Sequence, residues 1–243
     1  MCTVALIHGL HPEVPLIVAA NRDELLARPW GPPTWVGGDP SIVAGIDLEK
    51  GGTWMGATRR GFFAALTNVH APQPGKRSRG DIVVAALRAG SAAGASSMLE
   101  GLDARDFSPF NLLYGEAGAV RVAYGRQEDA RVAIDDVARG VRVLPNGPLD
   151  APEIAKVARM RSLIEPHAAR PLTELRAELA RALADHEAPG NDALHAICVH
   201  LPQYGTSSST ILALTEGRTL GYWFAAGPPC RAGFEEVTGL LRG

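Results

Sequence analysis

The chain has 243 residues, 46% of them apolar and 21% charged, enough for a sizeable core that needs no disulfide or structural metal. Its 24 basic and 26 acidic residues are mixed along the chain and leave a net charge of −2, which argues against a nucleic-acid binder; Arg59, Arg60, Lys76, Arg77 and Arg79 make a modest local cluster that reads as a solvated loop, with anion attraction second. No apolar run approaches the ~20 residues of a membrane span, and the start lacks the basic and long apolar regions of a signal peptide, so the cytosol is the expected location.

Thr3–Ile7 and Pro15–Ala20 are short, nearly continuous apolar runs, expected as strands covered on both faces. The turn segment Gly9-Leu10-His11-Pro12-Glu13 joins them. In an antiparallel hairpin their paired residue numbers sum to about 23, which sets Cys2 across from Asn21, with Arg22 and Asp23 just beyond. Asn21-Arg22-Asp23-Glu24 ends the apolar strand abruptly. Thr53–Thr58 and Phe62–Thr67 make a second expected hairpin around Arg59-Arg60-Gly61, and the same arithmetic sets Gly51-Gly52 beside Asn68. Ser78 caps a helix running to about Gly90, with Asp81 at the acidic position of a capping box. Ala92–Leu99 is a further short helix. Pro109–Tyr114, Ala119–Tyr124, Arg131–Ile134 and Val141–Leu144 are expected strands with glycine at several turns. Two or three amphipathic helices fall between Pro152 and His200. Ile211–Leu214 and Leu220–Phe224 return to strand, and Phe234–Leu241 closes the chain as a helix. Strands and helices come in separate runs, which predicts α+β layering in one domain over residues 1–243.

The chemistry centres on Cys2, directly after Met1. A small second residue allows Met1 to be trimmed, leaving a thiol and an α-amine on one residue. Their ordinary pKa values, about 8.5 and about 7.7–8.0, lie close enough for the amine to take the sulfur's proton. That is the logic of an N-terminal nucleophile; taken alone, Cys2 reads rather as a small residue tolerated at the second position, and the functional reading comes with its neighbours. A guanidinium nearby favours the thiolate, which makes Arg22 a candidate partner. Asp23 is placed to orient the arginine or hold the α-amine. Asn68 ends a strand, where its amide can donate to a developing oxyanion, an interaction worth about 3–4 kcal/mol, or form an Asx turn before Pro72. Asn146, in Leu144-Pro145-Asn146-Gly147-Pro148, has the same two readings, with the turn favoured. Asn21, Glu24, Trp54 and His70 are the candidate substrate contacts. His70 is the histidine nearest Asn68 in sequence.

Cys2, Cys198 and Cys230 are odd in number and widely spaced, with no disulfide framework and no zinc pattern, so no metal is expected. Cys198, in Ala196-Ile197-Cys198-Val199, reads as core. The hydroxyl-rich run Tyr204-Gly205-Thr206-Ser207-Ser208-Ser209-Thr210 has no nucleophile-elbow pattern and reads as a polar loop. Neither a heptad nor an exposed apolar stripe marks an oligomer interface.

Met1-Cys2, Ala20-Asn21-Arg22-Asp23-Glu24, Gly51-Gly52-Thr53-Trp54, Leu66-Thr67-Asn68, Arg77-Ser78-Arg79-Gly80, Asn111-Leu112-Leu113 and Tyr204-Gly205-Thr206 occur in this order over nearly the whole chain. In these the sequence resembles the NRDE family, also called the transport and Golgi organisation protein 2 family. The resemblance implies an N-terminal nucleophile hydrolase-like fold, a four-layer αββα sandwich of two antiparallel sheets between helices. It implies a likeness to penicillin acylases and bile-salt hydrolases, which cleave amides with an N-terminal cysteine. By motif, Cys2 matches the nucleophile, Arg22 the arginine, Asn68 the oxyanion asparagine and Asn146 the asparagine that contacts the amine. The acylases separate arginine from aspartate, whereas Arg22 and Asp23 are adjacent, which leaves the carboxylate role open between Asp23 and Glu24. Ser207 stands where many family members carry an arginine. The expected partner is a small-molecule amide or acyl substrate, with no cofactor. The family's links to haem delivery and to lipid or coenzyme A metabolism imply the alternative, a non-catalytic carrier of haem, lipid or acyl-coenzyme A in the same cleft.

Overall fold

A computed structural model describes residues 2–70 and 74–242. In chain order the main elements are β1 (Thr3–His8), β2 (Leu16–Leu25), β3 (Trp30–Val36), β4 (Asp39–Asp47), β5 (Met55–Thr58), β6 (Phe63–Asn68), α1 (Arg79–Ala89), α2 (Ala92–Glu100), β7 (Phe110–Glu116), β8 (Ala119–Gly125), β9 (Ala133–Asp136), β10 (Gly140–Leu144), α3 (Ala155–Ile164), α4 (Leu172–Leu183), β11 (Tyr204–Thr215), β12 (Arg218–Ala225) and β13 (Glu235–Glu236). The fold is α+β with two antiparallel sheets. The chain packs as two units, one from residues 1–28, 139–213 and 220–237, the other from 29–138, 214–219 and 238–243.

The first unit holds the six-stranded sheet β10-β1-β2-β11-β12-β13. Alternate residues of its strands, among them Ala5, Ile7, Ile17, Ala19, Val141 and Val143, share a core with Val157, Met160 and Ile164 of α3 and Leu175 and Leu179 of α4. The residues between them, such as Val4, Leu6, Leu16 and Val18, are buried as well. Both parities being apolar explains why β1 and β2 read as continuous apolar runs instead of alternating ones.

The second unit holds the seven-stranded sheet β3-β4-β5-β6-β7-β8-β9. Its core combines Ala44, Ala64, Leu66, Leu112 and Tyr114 with Ile82, Val83 and Leu87 of α1 and Ala95 and Leu99 of α2. The Ser78 side chain accepts from Gly80 N at 3.3 Å and so caps α1, as the sequence predicts. In the second hairpin Met55 pairs with Ala65 and Gly56 with Ala64, the predicted register.

Several elements differ from the sequence expectation. In β1–β2, Thr3 pairs with Asn21, so the register is displaced by one from the predicted sum. β2 does not stop at Ala20 but carries the Asn-Arg-Asp-Glu block to Leu25. The hydroxyl-rich run is not a loop; it is the first half of β11 and is almost wholly buried. Strands β3 and β4 have no counterpart in the prediction, because the Gly-Pro-Pro of β3 is a poor strand signal that an edge position tolerates. The expected closing helix is instead the two-residue β13 and a short 3-10 turn over Thr238–Leu241.

Candidate active site

Asn21, Arg22 and Asp23 are buried on β2, and buried polar groups need partners. The neighbouring strand β11 supplies them through its hydroxyls. Ser209 Oγ donates to Asn21 Oδ1 at 2.6 Å, and Thr206 Oγ1 donates to Asp23 Oδ1 at 2.6 Å. Ser207 Oγ donates to the Arg22 carbonyl at 3.1 Å and accepts from Arg22 Nη1 at 2.9 Å. Tyr204 Oη donates to the Asp23 carbonyl at 3.1 Å. The Asn21 amide donates to the carbonyls of Leu183 and Ile197 at 2.8 and 2.9 Å. The block is therefore held rigidly along its length. Ser207, in the place where many relatives carry arginine, makes a hydrogen bond to a guanidinium already present.

Cys2 is buried beside the start of β1, an interior strand between β10 and β2. Its Sγ lies 3.7 Å from the Asp23 carbonyl oxygen. Val4 pairs with Leu144 and Thr3 with Asn21; extending these ladders brings Cys2 level with Asn146 on one side and Arg22 on the other. Burial raises the Cys2 thiol above its ordinary pKa, and the Asp23 charge adds to the rise. Arg22 opposes it only weakly. Arg22 thus acts in the direction the sequence predicts, but burial outweighs it. Arg22 is buried, and its second nitrogen faces Glu24 at 3.6 Å.

A residue that the sequence reading missed completes the group. Lys156, at the start of α3, is buried and its Nζ has no hydrogen-bond partner among the described residues. Burial lowers its pKa, while the charges of Asp23 and Cys2 pull it back up. Burial likewise raises Asp23, against which Lys156 and the Thr206 hydrogen bond act. A signal was present: Lys156, Met160 and Ile164 recur every four residues, so a lysine occupies the apolar stripe of a helix. Between the two carboxylates, Asp23 is the buried one in contact with this group. Glu24 is more exposed and pairs with Arg22 and with Arg28 at 3.8 Å.

The remaining candidates are placed as follows. Asn146 is half-buried in the turn after β10, in the same unit as Cys2. Asn68 ends β6 in the second unit, opposite Phe110 in the ladder to β7. Trp54 is half-buried just before β5, and its carbonyl accepts from Leu66 N at 2.8 Å. His70 is exposed two residues beyond β6. Outside this region, His186, Cys198, His200 and Cys230 converge in the first unit as the kind of group that holds a metal, which the linear cysteine spacing concealed.

Residues 1–223 match the family described as Transport and Golgi organisation 2. The chain is 31% identical over 232 residues to the bovine (Bos taurus) Transport and Golgi organization protein 2 homolog, covering 81% of each. It is 30% identical over 226 residues to the Homo sapiens homolog, again covering 81% of each. Among solved structures, the conjugated bile acid hydrolase of Clostridium perfringens, in its C2A mutant form, superposes with a TM-score of 0.62 at 10% identity, over 99% of this chain and 94% of that one. The penicillin V acylase of Agrobacterium tumefaciens gives 0.58 at 14% identity, over 98% and 86%. The chain shares the fold of these neighbours. By sequence, the chain belongs to the Transport and Golgi organisation 2 family.

Proposed function

We propose that this protein is a cysteine N-terminal nucleophile enzyme that hydrolyses, or transfers the acyl group of, a small-molecule amide or acyl substrate. The observation that carries the reading is the buried trio of Cys2, Asp23 and Lys156, the first of which becomes the N-terminus when Met1 is removed. A thiol, a carboxylate and an ammonium sequestered together perturb one another's protonation, which is a mark of catalytic sites. Structural neighbours named as a hydrolase, an acylase and an amidase share the fold.

In this mechanism the freed α-amine of Cys2 takes the thiol proton. The sulfur attacks the substrate carbonyl carbon and forms a tetrahedral oxyanion. Collapse breaks the carbon–nitrogen bond, and the departing amine carries off the proton held by the α-amine. Water then gives a proton to the α-amine and attacks the thioester, releasing the acid and restoring the thiol. Another nucleophile in place of water makes the reaction an acyl transfer. Asp23 holds the α-ammonium, and Lys156 offsets the cost of a buried thiolate. The family resemblance gives the departing amine to Asn146. Arg22, tied to Ser207 and Glu24, keeps the charge of the block balanced.

The test is intact-mass analysis of protein purified from cells, before and after incubation with an activated acyl ester and an acid quench. The expected result is loss of Met1 and a single acyl adduct that maps to Cys2 and is absent from Cys2→Ala. Fully processed protein that forms no adduct overturns the proposal. The family's trafficking name favours a second reading, a carrier of a hydrophobic ligand such as haem. Retained Met1, with equimolar haem binding that survives Cys2→Ala, would support that carrier instead.

A further inference from the structure

We propose that His186, Cys198, His200 and Cys230 form a structural zinc site in the first unit. Their ligand atoms all lie within 4.8 Å of one another. The two sulfurs are 3.8 Å apart, Cys198 Sγ is 3.6 Å from His200 Nε2, and Cys230 Sγ is 3.2 Å from His200 Nε2. Zinc binds sulfur at about 2.3 Å and imidazole nitrogen at about 2.0–2.1 Å. Tetrahedral angles then separate two sulfurs by about 3.8 Å and a sulfur from a nitrogen by about 3.6 Å. The Cys198–Cys230 and Cys198–His200 spacings match edges of that tetrahedron, and the Cys230–His200 spacing is about 0.4 Å short of one. They are far from a disulfide, whose sulfurs lie about 2.05 Å apart.

The ring of His186 supports the same assignment. Its Nδ1 is 3.1 Å from the Cys198 carbonyl oxygen, to which it donates as the N–H tautomer. That leaves Nε2 as the ligand atom, and a metal-bound histidine usually donates its other nitrogen in this way. The ring lies 5.1 Å from that of His200, centroid to centroid. Two thiolates neutralise a divalent cation, and two neutral imidazoles complete an S2N2 set suited to zinc. Four protein ligands close the coordination sphere, which is the structural type of site and not the catalytic one. The ligands come from separate places: the segment after α4, the stretch before β11, and the turn after β12.

The ion would anchor the backbone that positions the candidate active site. Between its two ligands on that stretch, Val199 N donates to Thr206 Oγ1 at 2.9 Å, and its carbonyl accepts from Thr206 N at 2.9 Å. Thr206 in turn holds Asp23, while Ile197 accepts from Asn21. Zinc on Cys198 and His200 therefore stiffens the stretch from which Asn21 and Asp23 are held.

The test uses the full chain, stripped of metal under reducing conditions and then titrated with zinc against a chromogenic chelator. Equimolar zinc uptake is expected, and cobalt substitution should produce thiolate charge-transfer and tetrahedral visible bands. Cys230→Ser and His186→Ala, both at exposed positions, should lose more zinc affinity than the about 10–100-fold that removal of a supporting partner costs. Adding chelator should lower the Tm of the parent protein but not of either variant. The proposal is overturned by a reduced parent protein that takes up no equimolar zinc, by variants that bind as tightly as the parent, or by a Cys198–Cys230 disulfide re-forming in place of zinc uptake.

Discussion

Burial acts on Cys2, Asp23 and Lys156 in one direction, toward the neutral form of each. For Cys2 the raised pKa keeps the proton on sulfur through neutral pH, and the stability this contributes is lost as pH rises through the folded value. In chain that retains Met1, iodoacetamide should therefore modify Cys2 at about pH 8 more slowly than a free cysteine peptide. Its rate should still be climbing where the peptide has levelled off; mass-shift kinetics across pH measures this. Lys156→Met tests the other end of the group. Without the lysine the buried Asp23 carboxylate loses a stabilising charge, and stability should fall at about pH 8. A carboxyl raised by burial contributes stability at low pH and loses it as pH rises through its folded pKa. The deficit should therefore shrink as pH falls and Asp23 takes a proton, and Asp23→Asn in the same chain should remove most of it. Urea unfolding at the two ends of that range decides. Cys2 and the Asn-Arg-Asp-Glu block were legible in the sequence together, because the expected hairpin sets them side by side. Lys156 was not, since one lysine in an amphipathic helix reads as surface until its partners are known.

At the scale of elements, β2 and β11 show how a polar strand is made tolerable inside a sheet. Each buried group of Asn21-Arg22-Asp23 meets a hydroxyl from Thr206, Ser207 or Ser209. Ser209→Ala would leave the Asn21 carbonyl oxygen without its hydroxyl donor and should cost about 1–3 kcal/mol in urea unfolding. The hydroxyl-rich run reads as a loop by composition, because serine and threonine are short and polar wherever they sit. Only the presence of β2 alongside makes it a strand. In the second sheet Gly56 lies where an added Cβ would come 2.6 Å from Ala44 Cβ and 2.8 Å from both Leu87 Cδ1 and the Val43 carbonyl oxygen. Gly56→Ala should push α1 from the sheet at a cost of about 1–3 kcal/mol, measurable as a lowered Tm.

For the molecule as a whole, the two units are threaded differently. All seven strands of the second sheet and both of its helices lie between Trp30 and Asp136. The first sheet instead joins β1 to β10 and β2 to β11, pairings that close very long loops. Local pairings form sooner and at less entropic cost than distant ones. A fragment of residues 29–138 should therefore give protected amide hydrogens and a cooperative thermal transition, while residues 139–213 alone should give neither. By itself the sequence determined the α+β class, both hairpins, the first two helices and the family, because each is written in contiguous residues as periodicity, turn chemistry or motif. The structure alone decided that Asp23 and Lys156 share the surroundings of Cys2, that hydroxyls of β11 hold the polar block, and that two histidines and two cysteines converge. Those groupings join residues far apart along the chain, and their energies come from burial and distance, quantities that no local pattern of side chains carries.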